Sequence, residues 1–208
     1  MGWLLHVLPV TDWEKQYQTG ETPWDKGQPA PPLLELFDRG LPAGWEKGAV
    51  LAPGCGLGHD VREIARRGYQ VVGVDISPTA VERARQLPAA GTENFELGNL
   101  FDPAWQAGRK FSGWWEHTCF CAIPPDLRAA YAEAAGNLVE KDGLLAGVFY
   151  LTPNGPCEEN VGPPFNTSIE EIEGLLASWF EKIDGWVPSC CYPGREGQEW
   201  LALFRRRA

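Results

Sequence analysis

The run Val50-Leu51-Ala52-Pro53-Gly54-Cys55-Gly56-Leu57-Gly58-His59-Asp60, followed by Val71-Val72-Gly73-Val74-Asp75, decides the fold. An apolar stretch ends in closely spaced glycines, a helical stretch follows, and a second apolar stretch ends in an acid 21 residues after Gly54. That is the layout of a nucleoside-binding β-α-β unit. Gly54 and Gly56 let the backbone turn tightly and lie against a ligand, and Asp75 at the tip of the next strand can accept hydrogen bonds from two ribose hydroxyls. The spacing also separates cofactors. A dinucleotide fingerprint G-x-G-x-x-G requires glycine at position 59, where this chain has His59. G-x-G-x-G suits S-adenosylmethionine (SAM), which has no pyrophosphate to seat on the helix N-terminus. The glycines alone are equally those of a plain strand-to-helix turn; Asp75 in register is what favours a ligand.

Outward from this unit, strand-like runs alternate with helix-like ones, the pattern of a parallel sheet covered by helices on both faces. Strands are predicted at residues 49–52, 70–75, 94–97, 113–119 and 143–150, and helices at 60–67, 78–84, 125–138 and 168–180. Ser77 caps the second helix and Pro78 opens it. The last two strands, 185–191 and 199–204, are joined by the turn Pro193-Gly194-Arg195-Glu196-Gly197, too short for a parallel crossover. The expected fold is therefore α/β: a mostly parallel, seven-stranded Rossmann-like sheet ending in an antiparallel hairpin, as in class I SAM-dependent methyltransferases. That ending also argues against a nicotinamide oxidoreductase.

With 208 residues the chain is long enough for one domain and short for two. Residues 46–208 read as the core and residues 1–45 as a cap. A net charge of -10 and a pI near 4.8 argue against nucleic acid as partner, since such binding draws on Lys and Arg. Arg205-Arg206-Arg207 reads as a solvated end. The six cysteines, at 55, 119, 121, 157, 190 and 191, lack the C-x2-C spacing of a zinc site, and the three histidines have no matched spacing, so no metal is expected. Residues 1–10 are apolar but short, without a basic n-region, and interrupted by His6 and Pro9; they read as neither leader nor membrane span. The reading predicts a soluble, cytoplasmic protein with free thiols and no membrane partner; the oligomeric state is not legible, with a monomer favoured.

Ahead of the first strand lie Trp13-Glu14-Lys15-Gln16-Tyr17, Gly20-Glu21-Thr22-Pro23-Trp24-Asp25 and Pro29 to Pro32. Disordered tails have few aromatics, so something covers these rings. They either pack on the protein's own surface or form a lid over the cofactor, whose sulfonium gains from aromatic faces.

The chain resembles the thiopurine, thiol and halide methyltransferases, the plant-type halide and thiol enzymes in particular. The blocks that carry the resemblance are the Trp13 to Asp25 segment, Pro53 to Asp60, Val72-Gly73-Val74-Asp75-Ile76-Ser77, Phe120-Cys121-Ala122-Ile123-Pro124-Pro125 and Val161-Gly162-Pro163-Pro164-Phe165. It implies SAM as methyl donor, leaving as S-adenosylhomocysteine, and a small soft nucleophile as acceptor. It places Trp13, Tyr17 and Trp24 around the cofactor, Gly54 and Gly56 in its loop, Asp75 on the ribose, Asn99 and Leu100 beside the adenine, and Ile76 among the cofactor-binding residues. It makes Trp24, Phe120, Val161, Pro163, Pro164 and Phe165 the acceptor's walls. Arg128 matches a recurrent arginine to which no role is assigned. His117 stands where relatives carry tyrosine or arginine, close to the transfer centre; it is the candidate catalytic residue, able to bind the cofactor carboxylate, steer an anion, or merely fill space. Glu116 departs as well, and the sequence offers no role for it.

Methyl transfer from a sulfonium demands positioning more than acid–base chemistry, and a thiolate, hydrosulfide or halide arrives deprotonated. Cys119 and Cys121 read as small buried hydrophobes, and His6 and His59 as structural. The competing readings are transfer to a metalloid, amine or carboxylate, and a catalytically silent SAM-binding module.

Overall fold

The computed structural model describes residues 11–155 and 161–208; His6 and Cys157 lie outside them. In chain order the elements are α1 (Trp13–Thr19), α2 (Pro31–Asp38), β1 (Ala49–Pro53), α3 (His59–Arg66), β2 (Gln70–Asp75), α4 (Pro78–Gln86), β3 (Glu93–Leu97), α5 (Pro103–Gln106), β4 (Phe111–His117), α6 (Arg128–Leu138), β5 (Val139–Tyr150), α7 (Ile169–Leu176), β6 (Phe180–Trp186) and β7 (Glu199–Arg206). The strands form one seven-stranded sheet in the order β3-β2-β1-β4-β5-β7-β6. β7 runs antiparallel to both of its neighbours, and the other described pairings are parallel.

Successive strand residues point to opposite faces, and β1 shows the result. Leu51 joins a cluster with Trp114, Tyr131, Phe149, Trp200 and Phe204 on the α6–α7 face. Val50 and Ala52 join Leu36, Ile64, Trp115 and Leu201 on the α2–α3 face. Trp45, with Trp115, is among the largest fully buried side chains of that second layer; it donates to Leu144 O at 3.0 Å and lies where a Cβ on Gly113 would stand.

Several expected boundaries move: β5 begins at Val139 and α6 at Arg128, and β6 and β4 shift for tertiary reasons. β6 occupies residues 180–186 and not 185–191, while α7 stops at Leu176. β6 is an edge strand whose Glu181, Lys182 and Asp184 erase the apolar alternation, as edge strands commonly do. The apolar residues after it belong to a long connection held by Glu35, whose carboxylate accepts from Trp186 Nε1 and from the backbone N–H groups of Ser189 and Cys190. β4 ends at His117, two residues short of expectation. There Thr118 takes φ +60 and residues 120–122 form a 3-10 turn, because the buried Glu116 carboxylate captures Phe120 N–H at 2.7 Å.

β1 is followed outward by β2 and β3 on one side, and the chain then crosses to β4 on the other. The switch point therefore lies between β1 and β4, where the carboxyl ends of parallel strands leave a crevice for ligands.

Candidate active site

The loop between β1 and α3 lies at that crevice, with Gly54, Gly56 and Gly58 all at positive φ. A Cβ on Gly54 would stand 3.0 Å from Cys119 Sγ, and one on Gly56 2.6 Å from Tyr17 Oη. Asp75 is buried at the end of β2 and organises the loop: Gly56 N–H donates to its Oδ2 at 2.8 Å and Ser77 N–H to its Oδ1 at 2.9 Å. Burial raises its pKa, and these amides pull it part of the way back. An ionised carboxylate offers about four lone-pair sites, so acceptor capacity remains on both oxygens. Beside it, Ile76 and Leu97 are exposed apolar side chains at the ends of adjacent strands. Asn99 Oδ1 accepts from Phe101 N–H and so shapes its own turn, while the Leu100 side chain is buried in the core.

α1 lays the aromatic segment over this loop. Trp24 Nε1 donates to Tyr17 Oη at 3.1 Å, and Trp13 meets Trp24 edge-on with centroids 5.3 Å apart. Burial and the charge of Asp75 raise Tyr17, keeping its phenol neutral. The latch is Glu14. Its carboxylate accepts from Ser77 Oγ at 2.6 Å, Thr79 Oγ1 at 2.6 Å and Thr79 N–H at 3.0 Å, at the N-terminus of α4. The Ser77 and Thr79 hydrogen bonds lower Glu14 to about 2, so its contribution to stability is present above the ordinary carboxyl value and is lost as pH falls through about 2. Accordingly, the stability of the wild type relative to Glu14→Gln should be constant from neutral pH to about 5 and shrink below about 4. Denaturant titrations across that range check this, and a pH-independent difference would exclude the latch.

Tyr17, Trp24, Gly54, Gly56 and His117 line one cleft together with Asp25, His59, Asp60 and Tyr192. It is more polar than the aromatic and proline-lined pocket expected from sequence. His59 Nε2 sits 3.1 Å from Asp25 Oδ1 across it. His117 Nδ1 lies 2.7 Å from Asp60 Oδ2, an oxygen that also accepts from Trp115 Nε1 at 2.8 Å. The sequence reading missed Asp60. An acid in the first turn of a helix is already explained by the helix dipole, so nothing local marks it.

The expected acceptor walls do not all reach this cleft. Phe120 is turned inward against Tyr131 and Phe149, with the Arg128 guanidinium 4.8 Å from its ring centre. Phe165 is buried, its N–H donating to Cys121 O at 2.7 Å, while Val161 and Pro164 face solvent and Pro163 is half-buried. None of the five lines the cleft. Arg128 acquires a structural role here: fully buried, it holds Asn166 O at 3.1 Å and the Glu171 carboxylate at 2.9 Å, tying the 161–168 loop and α7 to α6. Glu116 bonds the Tyr131 hydroxyl as well as Phe120 N–H, and burial raises it to about 7. Burial, reinforced by Glu116, pushes Cys121 up to about 12 and Cys119 well above the thiol range, so neither is a thiolate near neutrality.

A family model described as thiopurine S-methyltransferase matches residues 9–185. Probable thiol methyltransferase 2 of Arabidopsis thaliana is 35% identical over 201 residues, 93% of this chain and 84% of its own length. Thiocyanate methyltransferase 1 of Brassica oleracea is 34% identical, again over 93% of this chain and 84% of that protein. Among solved structures, the Burkholderia thailandensis 1,6-didemethyltoxoflavin-N1-methyltransferase with bound 1,6-didemethyltoxoflavin and S-adenosylhomocysteine is similar in fold. The TM-score is 0.69 at 20% identity, covering 93% of this chain and 85% of that one. A family match running from ahead of the aromatic segment into β6, together with relatives a third identical over nearly the whole chain, makes this protein a member of the thiopurine S-methyltransferase family and so a SAM-dependent methyltransferase.

Proposed function

We propose that the methyl acceptor is a small soft sulfur nucleophile, hydrosulfide or a thiol ahead of any halide, and that the described segments form one methyltransferase domain with residues 1–45 as its cap. The observation that carries this reading is the enclosure of the glycine loop by Tyr17 and Trp24, which leaves a small covered cleft beside His117. The names of the plant relatives, a thiol and a thiocyanate methyltransferase, support the same acceptor class.

The residues present fit SAM. Asp75 has free acceptor capacity for a ribose, Ile76 and Leu97 offer an exposed apolar seat for a flat base, and Gly54 and Gly56 carry the positive-φ loop of the cleft where a Cβ would collide with Cys119 and Tyr17. When bound, SAM supplies an activated methyl group on a sulfonium that is already a good leaving group. The chain's own task is to hold, orient and keep dry. Trp24 and Tyr17 cover the loop with aromatic faces suited to a cation, and Glu14 pins them through α4. Soft, weakly hydrated nucleophiles give up least on entering such a site, and at physiological ionic strength the chain's negative field reaches only about 8 Å. Side-by-side kcat/KM values for hydrosulfide, an alkyl thiol, an aromatic thiol, thiocyanate, iodide, bromide and chloride test the reading. A sulfur nucleophile is expected to lead, with iodide the best halide; chloride or bromide ahead of every thiol would refute it.

A further inference from the structure

His117 ends β4 on the side of the switch point that faces the glycine loop, and its ring is held on two sides. Nδ1 is 2.7 Å from Asp60 Oδ2, and the ring stacks on Tyr192 at 6.1 Å, whose hydroxyl is itself fixed to Gln28 O at 2.7 Å. Asp60 has been built to orient it. Ala30 N–H donates to Oδ1 at 2.7 Å and Trp115 Nε1 to Oδ2 at 2.8 Å, so the carboxylate cannot rotate away. Burial works to raise Asp60, but its interaction with His117 and these hydrogen bonds outweigh it and keep the group ionised. An ionised carboxylate is an acceptor only, so Nδ1 carries a proton toward it, and in the neutral imidazole the lone pair is then on Nε2. That Nε2 is buried with no partner among the described residues, in a side chain that lines the cleft. Native proteins rarely leave a buried acceptor unpaired, and a histidine kept only for packing would be expected to spend both nitrogens.

We infer that Asp60 and His117 form a proton-accepting dyad in which His117 Nε2 takes the S–H proton of a neutral thiol acceptor, so that the enzyme uses protonated thiols as well as preformed anions. The inference rests on the thiol reading above. In the step, the S–H bond breaks, its electron pair stays on sulfur as the attacking thiolate, and the proton moves to Nε2. Asp60 holds the resulting imidazolium through Nδ1–H, and the proton passes to solvent after the methylated product leaves. Other titratable groups face the same cleft: Lys26, Asp25 and His59, with Tyr17, Tyr192 and Cys55 raised by burial and kept neutral. Glu116, the next residue back along β4, points to the opposite face, where Tyr131 and Phe120 N–H engage it.

The size of the effect follows from the acceptor. A thiol of pKa about 8.5 is only about 3% ionised near pH 7, so a base that removes this limit contributes up to roughly thirtyfold. Thiocyanate carries no proton and gains nothing. The test compares kcat/KM for free cysteine, whose thiol has a pKa of about 8.5, and for thiocyanate in the wild type, His117→Tyr, His117→Gln and Asp60→Asn. Near pH 7 the thiol-to-thiocyanate ratio is expected to fall by about ten- to thirtyfold in each variant, and near pH 9.5, where the thiol ionises unaided, to return to within about twofold of wild type. A ratio that stays at the wild-type value near pH 7, or one that stays depressed near pH 9.5, overturns the dyad. A wild type that turns over neither acceptor refutes the thiol reading instead. Because Asp60→Asn also disturbs Ala30 and Trp115, a second measurement stands apart from turnover and folding of variants: nitrogen NMR of His117 in the wild type should show Nδ1 protonated and Nε2 bare. A proton resident on Nε2 at neutral pH overturns the inference.

Discussion

Removing residues 1–24 is expected to leave a cooperatively folded sheet while lowering turnover by at least about a hundredfold. Neither core cluster draws on Trp13, Tyr17 or Trp24, and α4 keeps its own cap, since Ser77 Oγ accepts from Ala80 N–H at 3.0 Å. What the truncation removes from above the glycine loop is the Glu14 latch, the Tyr17 ring over Gly56, and the Trp24 indole that lines the cleft. Water then reaches the site and the reacting groups lose their alignment, for which a displacement of about 1 Å already costs on the order of a hundredfold. Circular dichroism melts and steady-state kinetics check both halves. A truncated protein with undiminished kcat/KM would reduce the segment to surface packing.

Asp75→Ala is expected to weaken SAM binding by roughly 10- to 150-fold. Hydrogen bonds to a charged group contribute about 1.5–3 kcal/mol, and here the carboxylate has two duties. It offers the remaining acceptor sites to a ribose, and it fixes Gly56 and Ser77 by their amides, so its loss also frees the loop that approaches the cofactor. Asp75→Asn, which keeps one acceptor oxygen, should fall between the two. Calorimetric titration with SAM and with S-adenosylhomocysteine measures this, and wild-type affinity in a folded Asp75→Ala protein would remove Asp75 from the site.

The unit from Ala49 to Asp75 could be read directly, because everything that specifies it is local: an apolar run of strand length, glycines where the chain needs positive φ, and an acid in register at the end of the next strand. The terminal antiparallel pair was legible for the same reason, since a short connection cannot cross a sheet. β6 itself was not, because an edge strand rich in charge carries no alternation, and the apolar residues that follow it answer to Glu35 on α2. The inward turn of Phe120 depends on Glu116 and on Tyr131, which α6 brings from another part of the chain.

The site divides in the same way. Tyr17, Trp24, Gly54, Gly56 and His117 were named from sequence and meet in one cleft, whereas Phe120, Val161, Pro163, Pro164 and Phe165, named as acceptor walls, are not among its lining residues. Asp60 and His117 are 57 residues apart and meet because β1 and β4 are parallel neighbours across the switch point. Sequence thus determined the fold class and the glycine loop at the switch point, both written in short-range spacing. Only the packing of strands and helices decided which nitrogen of His117 is held and which has no partner among the described residues, because that choice is made by residues that adjoin it in space and not along the chain.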